Sequence, residues 1–286
     1  MTMTYEASFQ ALEHSFRVRS NIAGMGAVIT RLFAGFSPRR ENNPPVTYDL
    51  LERADAETPY ELLMDGTSIQ RVGNPGSMID WLIADVAQQA LMESRTVVAV
   101  HAGTVAVGDR ATLLPAPPEH GKSTTVAGLV QAGFSFLSDE AALVHPLDGR
   151  VYPFPRPLML SPGSIRALPG LQRRLQGRQQ FRHFRHHVVP DDLRPGSAGT
   201  AAHVAFIVAP RYARGAQTLL EPMARPDALR LMLEQCFNLP VLRRVAVEAL
   251  GRIVRDATCY RLSIGDLGEA VALIQSLYEE PAEEAG

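Results

Sequence analysis

The chain contains one lysine, Lys122, among its 28 basic residues, and the other 27 are arginines. Because this sequence uses arginine so consistently, the exception indicates a position that requires a compact ammonium rather than a wide planar guanidinium. Lys122 stands in Gly121-Lys122-Ser123-Thr124, between a predicted strand and a predicted helix. In a phosphate-binding loop, amides at the helix N-terminus hold phosphate oxygens, the lysine reaches the β and γ phosphates, and the serine hydroxyl ligates Mg²⁺.

The segment before this tetrapeptide departs from the usual glycine-rich pattern. Ala116 occupies the place of the first glycine, where we expect a left-handed backbone that costs alanine about 1 kcal/mol. Pro117 and Pro118 remove two amide donors, and Glu119 brings a carboxylate towards the phosphates. The amides from His120 to Thr124 remain, and we expect them to form an anion-binding nest. An ordinary turn into a helix is the alternative interpretation.

Two acidic residues, Asp139 and Glu140, follow a strand predicted at 134–137. Carboxylates at a strand end near a phosphate loop suit a Mg²⁺ ligand and a base for an attacking hydroxyl. A simple turn cap is the alternative role for Asp139. Upstream, His101 lies in a His-Ala-Gly turn between apolar strands, where a histidine is usually a hydrogen-bonded structural residue.

The elements that must position these residues are predicted from the hydrophobic pattern. Residues 96–286 alternate strands and helices and predict an α/β domain with a mixed sheet. Residues 1–95 predict a smaller α+β N-terminal region that ends in a helix at 77–93. Residues 158–202 are rich in proline, glycine and arginine and predict a long irregular excursion.

Composition excludes several classes of protein. With 286 residues, 46% hydrophobic and 20% charged, the chain resembles neither a disordered nor an integral membrane protein. A net charge of -2 predicts no overall attraction to nucleic acid or to an anionic membrane. Two cysteines cannot form a disulfide framework, and the start lacks a basic segment followed by an apolar one, so we expect a cytoplasmic protein.

Residues 96–144 resemble the catalytic core of HPr kinase/phosphorylase and of the broader HPr-kinase-like group. Those proteins carry a histidine in a tight turn, then a glycine-rich phosphate loop, then a paired acid after the next helix and strand. Here His101 precedes Ala116 by fifteen residues, and Asp139-Glu140 stands at the paired acid. The resemblance implies an HPr-kinase-like P-loop core that uses ATP and Mg²⁺, with Asp139 as general base and Glu140 as metal ligand.

Three differences from the family bear on the substrate. Ala116 replaces the first loop glycine, Glu140 replaces the second acid, and residues 153–164 replace the glycine-rich, acid-containing signature of the true HPr enzymes. These differences point away from HPr as acceptor and from the phosphorylase reaction. The chain is more similar to smaller relatives with PFPRPL-like and PRYARGA-like segments, which include tailoring kinases of bacterial peptide pathways.

We therefore expect an ATP- and Mg²⁺-dependent kinase acting on a hydroxyl, a serine of a peptide or small protein. The expected catalytic residues are the proton acceptor, a histidine that orients this acid or a phosphate, and the phosphate-binding lysine: Asp139, His101 and Lys122. The expected nucleotide-binding residues are those of the loop and two arginines that supply cations: His120, Gly121, Lys122, Ser123, Thr124, Arg156 and Arg211. The expected metal ligands are Ser123 and Glu140.

Several alternatives stay open. A nucleotide-binding scaffold with a degenerate loop or a nucleotidase with water as acceptor would use the same loop, and the two arginines are equally compatible with the surface. The basic segment 171–187 predicts either acceptor recognition or a solvated loop. We expect no nucleic-acid or membrane partner, and homo-oligomerisation is left open.

Overall fold

The computed structural model describes residues 2–38, 45–53, 57–175 and 185–279. These residues form a mixed α/β structure. The strands are β1 (Tyr5–Ala11), β2 (His14–Ser20), β3 (Ser37–Pro38), β4 (Val46–Glu52), β5 (Tyr60–Met64), β6 (Thr67–Val72), β7 (Val98–Val100), β8 (Ala102–Val107), β9 (Arg110–Pro115), β10 (Ser135–Ser138), β11 (Ala142–Val144), β12 (Arg150–Tyr152), β13 (Leu158–Leu160), β14 (His186–Val188), β15 (Ala202–Tyr212), β16 (Leu219–Pro222) and β17 (Thr258–Ile264). The helices are α1 (Met25–Leu32), α2 (Pro75–Glu93), α3 (Lys122–Gln131), α4 (Pro162–Arg166), α5 (Pro169–Leu175), α6 (Pro190–Leu193), α7 (Arg225–Glu234), α8 (Leu239–Leu242), α9 (Arg244–Asp256) and α10 (Leu267–Glu279).

The chain forms two compact units. The first comprises Met1–Ser94 and Pro155–Asp192, and the second comprises Arg95–Phe154 and Leu193–Gly286. The break after Ser94 lies beside the boundary expected between 95 and 96. The structure differs from the two-domain expectation in placing Pro155–Asp192 with the N-terminal residues.

The first unit is organised around a six-stranded sheet in the order β3-β1-β2-β4-β5-β6. Helix α2 contacts β1, β2, β5 and β6 of this sheet. Its N-terminus is capped by Asn74, whose side chain accepts a hydrogen bond from the Ser77 amide at 2.9 Å. Phe16, Phe33 and Tyr48 are almost fully buried, and the ring of Phe16 makes edge-on contacts with the other two.

The expectation of an irregular excursion at 158–202 is wrong for the described residues. This stretch contains α4, α5, α6 and the paired strands β13 and β14. Buried Leu171 and Leu175 stand one helical turn apart on α5, and buried Leu158 and Leu160 alternate on β13. The high proline and arginine content masks this apolar pattern.

Ion pairs join this stretch to the rest of the first unit. His187 on β14 pairs with Asp80 on α2, and Arg31 on α1 pairs with Asp192. Of the basic segment 171–187, residues 176–184 lie outside the described part of the chain, so the two interpretations of that segment stay predictions.

The second unit is built on a nine-stranded mixed sheet. Strands β10, β8, β9, β15, β12, β11 and β7 follow one another, while β17 and β16 continue from β15. β15 is parallel to β9 and to β17, whereas β8 is antiparallel to both β9 and β10. Strands β9, β10, β15 and β17 therefore run in one direction, and their carboxyl ends lie along one edge, which we call the carboxyl edge.

Helices cover this sheet with apolar faces. On α9 the buried residues recur with helical spacing: Ala246, Ala249, Leu250, Ile253 and Val254. They share a core with Ala228 and Met232 of α7 and with the inner residues of the sheet. Helix α3 contacts β8 and α10. Across the described ranges, no helix combines the length and the apolar composition needed to cross a membrane.

Candidate active site

The loop at 116–121 joins β9 to α3 at the carboxyl edge, which confirms the predicted order of strand, loop and helix. Gly121 is the N-cap of α3 and has a φ of 91°, a conformation that favours glycine. A Cβ there would also lie 3.3 Å from Cβ of Tyr212. The first amides of α3 have no intrahelical acceptors, and Gly121 has no side chain to cap them.

Besides Gly121, the residue with a left-handed backbone in this loop is Glu119, with a φ of 67°. The expectation that Ala116 takes this conformation is wrong, because Ala116 is not among the described residues with positive φ. Ala116 directly follows β9 and is 2% exposed. The strain of a side chain in the left-handed region, about 1 kcal/mol, therefore falls on Glu119.

Lys122 is folded back against its own loop. Its Nζ donates to the carbonyl oxygens of Ala116 at 2.7 Å and Pro117 at 2.9 Å, and the residue is only 6% exposed. Burial lowers the pKa of Lys122 to about 8, while the negative charges of Glu140 and Asp139 act to raise it. The lysine thus lies in the electrostatic field of both acids.

The register of the sheet explains how the acids meet the loop. β8 pairs Ala102 with Pro115 of β9. His101, directly before β8, and Ala116, directly after β9, therefore lie at the same end of this strand pair. β10 ends at Ser138, which pairs with Thr104 of β8, and the acids follow immediately. Three segments that are distant in sequence therefore meet at the carboxyl edge.

The helix is held at this edge by a close contact with β8. A Cβ on Gly103 would lie 2.5 Å from Cγ2 of Val126, so this position requires glycine for the helix to approach the strand. Ala102 and Gly103 of the predicted His-Ala-Gly turn belong to β8 in the structure, so the packing role of Gly103 is that of a strand residue.

A hydroxyl stabilises the turn that carries the acids. Oγ of Ser138 accepts hydrogen bonds from the amides of Glu140 at 3.1 Å and Ala141 at 3.0 Å. Ser138, which sequence reasoning passed over, therefore caps this turn. Asp139 is 1% exposed, whereas the Glu140 side chain is 27% exposed.

His101 connects this acid pair to the end of α7. Its Nε2 lies 3.9 Å from Oε1 of Glu140, and its Nδ1 donates to Oε1 of Gln235 at 3.3 Å. The His101 amide also donates to the Gln235 carbonyl at 2.8 Å, and the imidazole ring lies 5.5 Å from the Phe237 ring. In this structure His101 faces Glu140 on one side of its ring and an amide oxygen on the other. No local sequence signal pointed to Gln235.

The arginines expected in the nucleotide site lie in different units. Arg211 is exposed at the end of β15, on the carboxyl edge, and the amide of its neighbour Tyr212 donates to the His120 carbonyl at 3.2 Å. Arg156 belongs to the first unit, where it is buried and its Nη1 donates to Sδ of Met159 at 3.7 Å. Nucleotide binding by either arginine stays a prediction.

Among the described residues, no group of three or more His, Cys, Asp or Glu side chains is arranged to hold a metal ion. Mg²⁺ in nucleotide sites is typically bound by one or two carboxylates together with waters and substrate phosphates.

A scan of family models gives no match to the chain, and a search of curated proteins gives none either.

Proposed function

We propose that the chain is an ATP- and Mg²⁺-dependent kinase with an HPr-kinase-like P-loop core that phosphorylates a hydroxyl of a peptide or small protein. The single observation that carries this proposal is that the loop holding the buried Lys122 and the acid pair that follows β10 meet at the carboxyl edge. A phosphate-binding cation beside a buried and a partly exposed carboxylate supplies the groups that phosphoryl transfer needs, which are positioning, charge neutralisation and a proton acceptor.

Phosphate binding is assigned to the loop and to the start of α3. The helix N-terminus carries amides without intrahelical acceptors and a favourable dipole, and the buried ammonium of Lys122 adds a full positive charge. The ammonium donates hydrogen bonds to the carbonyl oxygens of Ala116 and Pro117. To bind phosphate, it must exchange these two acceptors for phosphate oxygens.

The two acids receive different roles. Glu140 is the more exposed of the pair and is assigned to Mg²⁺ together with Ser123 in the first turn of α3. When bound, Mg²⁺ would neutralise charge on the phosphates. Asp139 is buried and is assigned as acceptor of the hydroxyl proton.

The acceptor and the cellular location complete the proposal. We assign a serine hydroxyl on a peptide or small protein as acceptor, following the resemblance to peptide-tailoring kinases. The cytoplasm is the proposed location, and the free cysteines Cys236 and Cys259 are consistent with a reducing compartment.

Radiolabelled ATP tests the proposal. The protein is incubated with Mg²⁺ and serine-containing peptides, and label in peptide is separated from free phosphate and from bound nucleotide. Transfer that requires Asp139 and Lys122 supports a kinase, whereas phosphate release independent of peptide indicates a nucleotidase. A protein that neither binds nor turns over ATP overturns the proposal.

A nucleotide-binding protein without transfer activity is the second candidate. It is favoured by the engagement of Lys122 Nζ with the Ala116 and Pro117 carbonyls and by the carboxylate of Glu119 in the loop. The same experiment separates the two, because this candidate retains ATP and labels no peptide.

A further inference from the structure

The position of the acids sets the direction in which a nucleotide lies. Strand β9, which leads into the loop, has β8 and β10 on one side and β15 and β17 on the other. Asp139 and Glu140 follow β10, so the reacting phosphate points to that side. The base then extends towards the segments that follow β15 and β17, where ligands commonly bind outside the carboxyl ends of strands.

Tyr212 lies at the end of β15, in the direction in which the base would extend. It is 52% exposed although residues 206–208 in the middle of the same strand are buried. Its amide donates to the His120 carbonyl at 3.2 Å, and its Cβ lies 3.3 Å from the place of a Cβ on Gly121. The ring is therefore attached directly beside the phosphate loop.

The backbone that carries Tyr212 is firmly held. The amide of the next residue, Ala213, donates to the Ile264 carbonyl at 3.0 Å, so the pairing with β17 continues past the strand end. A Cβ on Gly265 would lie 1.7 Å from the Ala216 carbonyl oxygen, so the two segments approach more closely than any side chain allows. An aromatic ring on a fixed backbone loses little conformational entropy when it binds a ligand.

A second exposed tyrosine in this unit provides a contrast. Within the described residues, the exposed aromatic side chains of the second unit are Tyr152 and Tyr212. The Tyr152 hydroxyl donates to Asp148 at 2.9 Å. Its strand pairs Val151 with Ala202, at the opposite end of β15 from Tyr212. Only Tyr212 of this pair lies at the phosphate loop.

We propose that Tyr212 is the stacking surface for the base of a purine nucleoside di- or triphosphate whose phosphates the loop binds. This inference rests on the proposed function, because the direction of the nucleotide follows from the roles of the acids. Stacking involves the face of the base and not its edge, so it should strengthen the binding of adenine and guanine nucleotides alike.

Binding titrations with and without a base test the inference. The dissociation constants of ADP, GDP and inorganic tripolyphosphate are measured by calorimetry for the wild type, Tyr212→Ala, Tyr212→Phe and the control Tyr152→Ala. Base stacking predicts that Tyr212→Ala weakens ADP and GDP tenfold or more and leaves tripolyphosphate unchanged. Tyr212→Phe and Tyr152→Ala should bind all three like the wild type, and thermal unfolding checks that each variant is folded.

The outcomes separate this inference from the proposed function. If Tyr212→Ala binds ADP as tightly as the wild type, the stacking surface is overturned while nucleotide binding stands. If the variant loses ADP and tripolyphosphate equally, Tyr212 shapes the loop and does not bind the base, which also overturns the inference. If the wild type binds none of the three ligands, the inference and the proposed function both fail.

Discussion

Nε2 of His101 lies 3.9 Å from Oε1 of Glu140, which couples the histidine to the acid assigned to Mg²⁺. On the other side of the ring, the side-chain oxygen of Gln235 accepts from Nδ1, which orients the ring with Nε2 towards the carboxylate. This arrangement makes Gln235 a positioning residue that acts through His101.

Gln235→Leu should lower the turnover number by about 10- to 100-fold, because the imidazole loses the acceptor that orients it. The Michaelis constant for ATP should change little, since the side-chain and backbone oxygens of Gln235 both bond to His101, which lies outside the loop. Gln235→Glu keeps an oxygen acceptor and should restore part of the turnover. Steady-state kinetics of both variants measure this, and wild-type turnover in Gln235→Leu would contradict the positioning role.

Lys122→Ala should lower kcat/KM by about 10²-fold or more and leave the fold intact, because the ammonium faces the loop and not the hydrophobic core. Lys122→Arg should also be poor, because a planar guanidinium does not fit between the two loop carbonyls. The exposed cation Arg255, replaced by alanine, is the matched control. Full turnover in Lys122→Arg would refute the argument from the solitary lysine.

The pKa of Lys122 predicts two opposite responses to pH. Because burial lowers this pKa from 10.5 to about 8, the ammonium loses its proton above about pH 8, and nucleotide affinity of the free protein should fall there. Between about pH 8 and 10.5 the unfolded chain binds this proton and the folded chain does not, so the free energy of unfolding should rise with pH from this group. Denaturant titrations of the wild type and Lys122→Met across this range isolate the difference. Identical pH profiles in the two proteins would show that Lys122 does not titrate there.

Asp139→Asn should abolish phosphoryl transfer and keep nucleotide binding, whereas Glu140→Gln should also weaken Mg²⁺-dependent binding. The reason is that a base acts only on the acceptor hydroxyl, while a metal ligand helps to hold the phosphates in the ground state. Either change removes a charge that raises the pKa of Lys122, so the alkaline loss of affinity should move to lower pH. Equal loss of Mg-ATP affinity in both variants would mean that the roles are exchanged or shared.

Glu119→Gly should tighten nucleotide binding, because it removes a carboxylate from the phosphate loop, and should raise stability by about 1 kcal/mol, because it relieves left-handed strain. Glu119→Ala removes the charge alone and should recover part of the gain. Ala116→Gly, in contrast, should lower stability by about 0.5–1 kcal/mol, because Ala116 has no left-handed backbone to relieve. Calorimetric titration and thermal unfolding give these values, and a stability gain in Ala116→Gly would contradict the loop conformation described.

The candidate site was predictable where its signals are local. The solitary Lys122 and its strand-loop-helix context are visible in a short window, because helix starts and strand ends have their own residue preferences. The pairing of the acids with the loop was expected from the family resemblance, and the β8–β9–β10 register is what brings them together.

Only the tertiary structure decided the rest. Gln235 is 134 residues from His101 along the chain, and no periodicity links two residues that meet because residues 235–237, after α7, pair with residues 99–101. The left-handed residue is Glu119 and not Ala116, which directly follows β9 and is buried. Residues 155–192 belong to the first unit, where contacts such as His187–Asp80 and Arg31–Asp192 link them to segments that are distant in sequence. Sequence patterns specify which face of an element is apolar, but the partner of that face is chosen by the packing of the whole chain.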